Sequence, residues 1–209
     1  MRRYLAYLRY VLRHKWFVFQ AGRELGVPLF NLILHDWDKF LPFMFLAYAR
    51  YFYHPDGTSK REHTTKEEKD FLVAWFMHQR RNRHHWQWYL VDDFNTPARD
   101  RGILVMDSGV MYRVLLDDLP EYAIVYTTPQ QYSPVKPHMM AESDALEMLA
   151  DWMGAGRALG KPDTAAWFFD KARQELFRRV LHPATHQWLL EKLDPDWWKI
   201  SRIVEKSHV

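Results

Sequence analysis

Through the first twenty-five residues apolar side chains recur every three or four positions, at Tyr4, Leu5, Leu8, Val11, Leu12 and Val18, which predicts one long amphipathic helix over 3–25. Gly26 is its natural stop. Pro28 suits the first turn of a second helix, expected to carry Leu32, Ile33, His35, Asp36 and Phe40. Pro42 opens a third, reaching about Tyr53, before the turn cluster His54-Pro55-Asp56-Gly57. Thr64 with Glu67, or Thr65 with Glu68, has capping-box spacing for a helix through Phe71, Trp75 and His78. That helix continues or kinks through an arginine-rich run to Phe94, where Asn95-Thr96-Pro97 ends it.

From about 98 to 138 the periodicity changes. Ile103-Leu104-Val105-Met106 and Ala123-Ile124-Val125-Tyr126 are short β-prone runs, and Pro120, Pro129, Pro134 and Pro137 interrupt any helix. An insertion or lid is expected at about 96–140. Helical patterning returns at Glu142, with Leu146, Met148, Leu149 and Trp152 apolar, and stops near Gly160. Asp163 is placed to cap a further helix to about Leu181, and Asp194-Pro195 to open a terminal one through Trp197, Ile200 and Val204. The pattern predicts an all-α bundle of seven or eight helices forming a single domain, with a small irregular or β-containing insertion, and it shows no internal repeat.

Composition narrows the chemistry more than the fold. In 209 residues, 48% of them hydrophobic, there is material for a core without covalent staples. The chain has no cysteine, so disulfides and thiolate zinc sites are excluded and any metal must use nitrogen and oxygen donors. Lysine and arginine number 29 against 26 acidic residues, a mixed surface that permits nucleic-acid binding without arguing for it. Arg9, Arg13, His14 and Lys15 break the N-terminal apolar run before it reaches signal-peptide length, and no stretch approaches the roughly 18 apolar residues that span a bilayer. A soluble cytoplasmic protein with no membrane partner is expected.

Within that frame the doublet His35-Asp36 carries the most information. Imidazole and carboxylate close on a divalent ion only with help from elsewhere, and His14, His78, His84, His85 and Asp151 are the donors on offer. His14 shares a stripe with Val11 and Val18, so its imidazole is expected to point inward. Asp144, Glu147 and Asp151 lie on one helical stripe, and buried carboxylates in that number require a cation to balance them. On an unbroken helix His78 and His85 share a face with Asn82 between them; if the helix kinks at Arg80 and Arg81, His84 can take the place of His85. The cations Arg80, Arg81 and Arg83, with Asn82, are candidate contacts for phosphate oxygens.

The order His14, His35-Asp36, Lys39, His78, His84 or His85, Asp151 resembles the HD-domain metal-dependent phosphohydrolase superfamily. More closely it is similar to a largely phage-encoded HD-like group, on the segments His14 to Val18, His35 to Phe40, Asn82 to His85 and Leu146 to Trp152, covering roughly 1–95 and 140–180. Where that group has Ser, this chain has Asp38, an added carboxylate beside the doublet.

The resemblance implies one or two divalent ions (Mn, Fe, Zn, Co or Ni) held by His14, His35, Asp36 and Asp151, with His78 and His84 or His85 recruiting the second. It implies hydrolysis of a phosphate ester from the nucleotide pool in the cytoplasm, that of the host if the gene is a phage's, with a homodimer as the expected assembly. Lys39 would meet phosphate oxygens, and Glu147 or Asp144 would orient water or a ligand histidine. Two other chemistries fit the residues: an HD-type di-iron oxygenase, and a non-catalytic phage protein gripping a host protein or nucleic acid through its arginines.

Overall fold

The computed structural model describes residues 1–92, 102–107, 110–115, 124–125 and 135–193. They are dominated by α-helix, as the periodicity predicts. Helix α1 (Arg2–Leu25) ends at Gly26, whose φ of 79° is the left-handed cap that glycine adopts at little cost. Helix α2 (Leu29–Leu34) is short, and a single 3-10 turn (Trp37–Phe40) leads into α3 (Pro42–Phe52). Helix α4 (Thr65–Gln79) begins with the expected capping box: the Thr64 hydroxyl accepts from the Glu67 amide at 3.3 Å, and the Glu67 carboxylate accepts from the Thr64 amide at 3.0 Å. Thr64→Ala removes one of these bonds, so unfolding should cost about 1 kcal/mol less, read as a fall of about 2–4 °C in Tm by calorimetry.

After α4 the chain makes a second 3-10 turn (Trp86–Tyr89) and enters β1 (Leu90–Asp92). The expected helix through the arginines to Phe94 is corrected here. It stops at Gln79, and the next turn gathers on one carbonyl: the amides of Arg81 and Asn82, each at 3.1 Å, and the Asn82 side chain, at 2.9 Å, all donate to the His78 carbonyl. Strand β2 (Gly102–Asp107), one of the two β-prone runs, pairs antiparallel with β3 (Val110–Leu115) on one side and β4 (Ile124–Val125) on the other. Strand β5 (Val135–Pro137) returns antiparallel to β1, with Leu90 opposite Pro137 and Asp92 opposite Val135. The chain therefore leaves and re-enters the helical body through one two-stranded ribbon. The rest of the expected lid lies outside the described residues.

Helix α5 (Glu142–Ala158) matches the expected late helix and is followed by Gly160 at φ 72°. Asp163 caps as anticipated, but only α6 (Thr164–Phe168). Asp170 then caps a separate α7 (Lys171–Val180) in place of one helix to Leu181. Helix α8 (Pro183–Leu193) was not anticipated, although Pro183 at its first position was a legible start signal. The expected terminal helix after Asp194 lies outside the described residues. None of the described helices is long and apolar enough to cross a membrane.

Packing divides the interior into three apolar clusters. Tyr7, Val11, Met44, Tyr48, Phe71 and Ala74 join α1, α3 and α4. Val18, Ala21, Val27, Leu32 and Ala150 join α1, α2 and α5. Met148, Leu149, Phe168, Phe177 and Leu189 join α5 to the C-terminal helices. His14 stands one turn from Val11 in the first cluster and one turn from Val18 in the second, while Asp151 follows Ala150 and Leu149. The polar centre sits where the three meet.

Candidate metal centre

Two parallel helices supply the first pair of donors. His14 on α1 and Asp151 on α5 approach to 3.1 Å, one turn below the packing of Val18 against Gly154 and well below the Glu24–Arg157 ion pair. His14 is 3% exposed, as its place on the apolar stripe predicted.

The doublet itself enters on a loop rather than a helix, correcting the expectation that α2 carries it. The helix ends at Leu34, and His35 and Asp36 form a turn in which His35 has φ −47° and ψ 125° and Asp36 has φ 55° and ψ 25°. Asp36 is the one non-glycine residue with positive φ among the described residues. An aspartate in that region is tolerated but costs on the order of 1 kcal/mol, a strain that clusters at functional sites. A distant contact holds the turn: the Lys15 ammonium donates to the carbonyls of Ile33, at 3.2 Å, and of His35, satisfying acceptors left free where α2 ends.

That turn points the Asp36 carboxylate into the centre with its two oxygens facing different ways. Oδ2 lies 3.2 Å from His14 Nε2 and 3.4 Å from His35 Nε2, and Asp151 Oδ1 lies 3.4 Å from His35 Nε2. Oδ1 lies 3.2 Å from His78 Nε2 and 3.5 Å from His84 Nε2. Donors about 2.1 Å from one ion stand about 3.0–3.4 Å apart in octahedral or tetrahedral coordination, so these separations are ones that donors to a common ion could have. His14, His35, Asp36 and Asp151 form one set whose ligand atoms all fall within 4.8 Å of one another; Asp36, His78, His84 and His85 form another. Asp36 belongs to both.

The far sides of three of the rings, His35, His84 and His78, are held by carboxylates. Glu147 Oε1 is 3.0 Å from Nδ1 of His35 and 3.0 Å from Nδ1 of His84, so one glutamate orients a histidine in each set. Asp38 Oδ1 is 2.9 Å from His78 Nδ1. A ring that donates through Nδ1 presents its Nε2 lone pair to the centre, the tautomer a metal ligand needs. His35, His84 and Glu147 also lie close enough to hold an ion, but their shared contacts run through Nδ1, which makes Glu147 an orienting partner.

The donors fit a cation. Asp36 Oδ1, His78 Nε2, His84 Nε2 and His85 Nε2 are all buried and make no hydrogen bond. An orphaned buried polar atom costs about 1–3 kcal/mol, and four of them converging on one space call for a common partner. Charge gives the same answer. Burial pulls the imidazoles of His14 and His35 down, yet the carboxylates of Asp151 and Asp36 hold both above the ordinary histidine range. Burial also pulls His84 down, His35 beside it adds to that, and Asp36 and Glu147 reverse it. His85 is pushed well below its usual value by burial and by its neighbours His84 and His78, so it stays neutral. Burial pushes the Asp36 carboxyl up, but His35 and Lys39 hold it well below the carboxylate range; Glu147, similarly opposed by His35 and His84, lies at about 2. Ionised carboxylates gathering protons onto imidazoles form a site where a divalent ion can take the place of those protons.

The structure brings together His14, His35, Asp36, His78, Asp151 and both His84 and His85, which the sequence had treated as alternatives. Lys39 stands beside them, its Nζ 2.5 Å from Asp36 Oδ2, and Asn82 packs against His78. Four candidate residues stand outside the centre. Asp144 faces away, accepting from the Tyr89 hydroxyl and pairing with Arg83 at 3.0 Å, so it orients nothing in the centre. Arg80 and Arg81 are exposed, Arg80 lying over the Phe76 ring, and Arg83 is committed to Asp144. Two residues with defined roles were given none by the sequence: Lys15, which shapes the doublet's turn, and Asp38, which orients His78.

The centre opens into a cavity of about 450 Å³ whose wall includes His14, Lys39, His85 and Asp151. The model of a family described as "Family of unknown function (DUF5662)" matches residues 3–195. No curated protein and no solved structure matches the chain.

Proposed function

For a chain that belongs to the DUF5662 family, a family of unknown function, we propose metal-dependent hydrolysis of a phosphate ester, a nucleotide or a related compound, at a two-ion centre of the HD-domain kind. The observation that carries this reading is Asp36, whose two carboxylate oxygens each face a different set of imidazoles, the geometry of a ligand shared between two ions. When bound, divalent ions would supply Lewis acidity, lowering the pKa of a coordinated water toward ~7 and offsetting charge on phosphoryl oxygens.

The chain's own residues do the rest. Glu147 and Asp38 fix the rings of His35, His84 and His78 so that each Nε2 faces inward. Lys39, paired with Asp36 and lining the cavity, is the cation placed to meet a phosphoryl oxygen. Burial of the whole cluster keeps bulk water from competing for its charges. In the reaction the oxygen of water bonds to phosphorus, the ester P–O bond breaks, and the alcohol leaves with a proton as orthophosphate forms.

Elemental analysis of the purified protein, followed by a nucleotide screen for phosphate release, tests the reading. About two ions of Mn, Fe, Zn, Co or Ni per chain are expected, with turnover abolished by chelation. If ion concentrations stand about 1,000-fold above Kd, their removal costs about 4 kcal/mol, or roughly 8–16 °C in Tm. A protein free of metal and indifferent to chelator overturns the proposal. Two irons with oxygen consumption and no phosphate release would replace it with oxidation, and salt-dependent nucleic-acid binding without turnover would replace it with a binding role.

A further inference from the structure

The wall of the cavity beside the metal centre is unlike a polyphosphate site. Its lining includes Tyr10, Phe52, Tyr53, Phe71 and Trp75, and Lys39 is its one lysine or arginine among the described residues. The arginines that could neutralise further phosphates, Arg80, Arg81 and Arg83, are exposed and do not line it. Stacking on aromatic faces is worth about 1–3 kcal/mol per base and tolerates any planar ring. A volume of about 450 Å³ falls in the range of small-molecule pockets.

Three lining residues also carry polar groups that nothing satisfies. The hydroxyls of Tyr7 and Tyr48 and the indole nitrogen of Trp75 are buried without a hydrogen-bond partner. The two tyrosine rings stack at 5.9 Å between α1 and α3, and Lys39 lies 5.9 Å from the Tyr48 ring centre. Burial pushes both phenols well above their ordinary pKa, so both remain neutral donors. Native interiors pair such groups, and groups left orphaned in the free protein are the ones a ligand's acceptors can satisfy.

We infer that this cavity is the substrate pocket and that it selects a phosphate monoester bearing one phosphate and a planar ring, with a nucleoside monophosphate as the biological form that fits, over the corresponding triphosphate. The inference rests on the hydrolase reading above. The single phosphate sits at the metal centre and Lys39, the ring lies against Phe71 and Trp75, and Tyr7 and Tyr48 donate to oxygens of the ligand.

Calorimetric binding to the metal-loaded protein tests the pocket independently of turnover. AMP is expected to bind at least about tenfold more tightly than ribose 5-phosphate, which lacks the ring, and than ATP, which adds charge without matching cations. Tyr7→Phe and Tyr48→Phe should each weaken AMP binding about fivefold to tenfold while leaving the Tm of the ligand-free protein unchanged, because no bond is lost there. Equal affinity for AMP and ribose 5-phosphate, tighter binding of ATP, Phe variants with full affinity, or a lowered Tm of the free variants would each overturn the inference. Phosphate release is followed in parallel. Ring-selective binding without release from any ester leaves the pocket standing and removes the hydrolase, whereas release without ring preference removes the pocket and leaves the hydrolase.

Discussion

Asp36→Asn is expected to empty both halves of the metal centre and to lower phosphate release by about 1,000-fold or more. The substitution keeps the size of the side chain, and asparagine tolerates the left-handed backbone that Asp36 adopts, so the turn survives. What is lost is a charge and one acceptor. An amide presents a single oxygen and cannot face both His14 with His35 and His78 with His84, as the two carboxylate oxygens do. Metal-derived stabilisation of transition-state charge amounts to several kcal/mol, and each 1.36 kcal/mol is about tenfold in rate. The variant also strands Lys39, whose side chain is 14% exposed and pairs with Asp36, so some loss of stability accompanies the loss of metal. Two comparisons isolate the cause. Asp38→Asn, which disturbs only the orientation of His78, should weaken metal binding about 10–100-fold, and Asp144→Asn should leave metal content unchanged because its partners are Tyr89 and Arg83. Asp36→Asn protein with the wild-type complement of metal and the wild-type rate would sink the assignment.

The contrast between those three aspartates shows how far the sequence could be read. Donor chemistry was legible because histidine and carboxylate types at helical spacing carry it directly, and His14 was legible as inward-facing because it shares a stripe with Val11 and Val18. Helix ends governed by local chemistry were legible too, at Gly26, Thr64 and Asp163. Features set by contacts across the fold were not. The doublet was expected on a helix and lies on a loop, where the Lys15 ammonium, 20 residues before His35, meets its carbonyl. The arginine-rich run was expected to continue the helix or kink it, with His85 or His84 as the ligand; instead the helix ends, Asn82 folds back on His78, and both His84 and His85 stand in the centre. Asp144 and Glu147 were alike by periodicity; only the contacts they find separate a carboxylate facing the ring ligands from one, equally buried, that faces Tyr89 and Arg83. Nothing in the spacing of Tyr7, Tyr48 and Trp75 marks them out, and their unpaired polar ends appear only once their neighbours are known.

The second large effect follows from the contact that sets the distance between α1 and α5. Gly154→Ala is expected to destabilise the protein by about 2 kcal/mol, to lower Tm by about 4–8 °C, and to loosen metal binding although residue 154 touches no ligand. A methyl group at 154 would lie 2.7 Å from the backbone nitrogen of Val18 and 2.9 Å from its Cα, and would collide with the valine side chain as well. Backbone cannot rotate away as a side chain can, so the helices must part. Overpacking of this kind costs typically about 1–3 kcal/mol, and the gain of about 1 kcal/mol from replacing glycine inside a helix offsets only part of a collision at the high end of that range. One turn below the collision, His14 and Asp151 stand 3.1 Å apart, and a site of this kind tolerates misplacement of about 0.5 Å. The set containing His14 and Asp151 should therefore lose its ion first, while the set built on His78, His84 and His85 is retained. Gly22→Ala is the comparison: its methyl would meet the end of the Leu32 side chain rather than backbone, so it should lower Tm without selective loss of metal. Calorimetry and metal analysis on the two variants decide the matter. Gly154→Ala protein that melts and binds metal like the wild type would show that the closeness of α1 and α5 is not what assembles the centre.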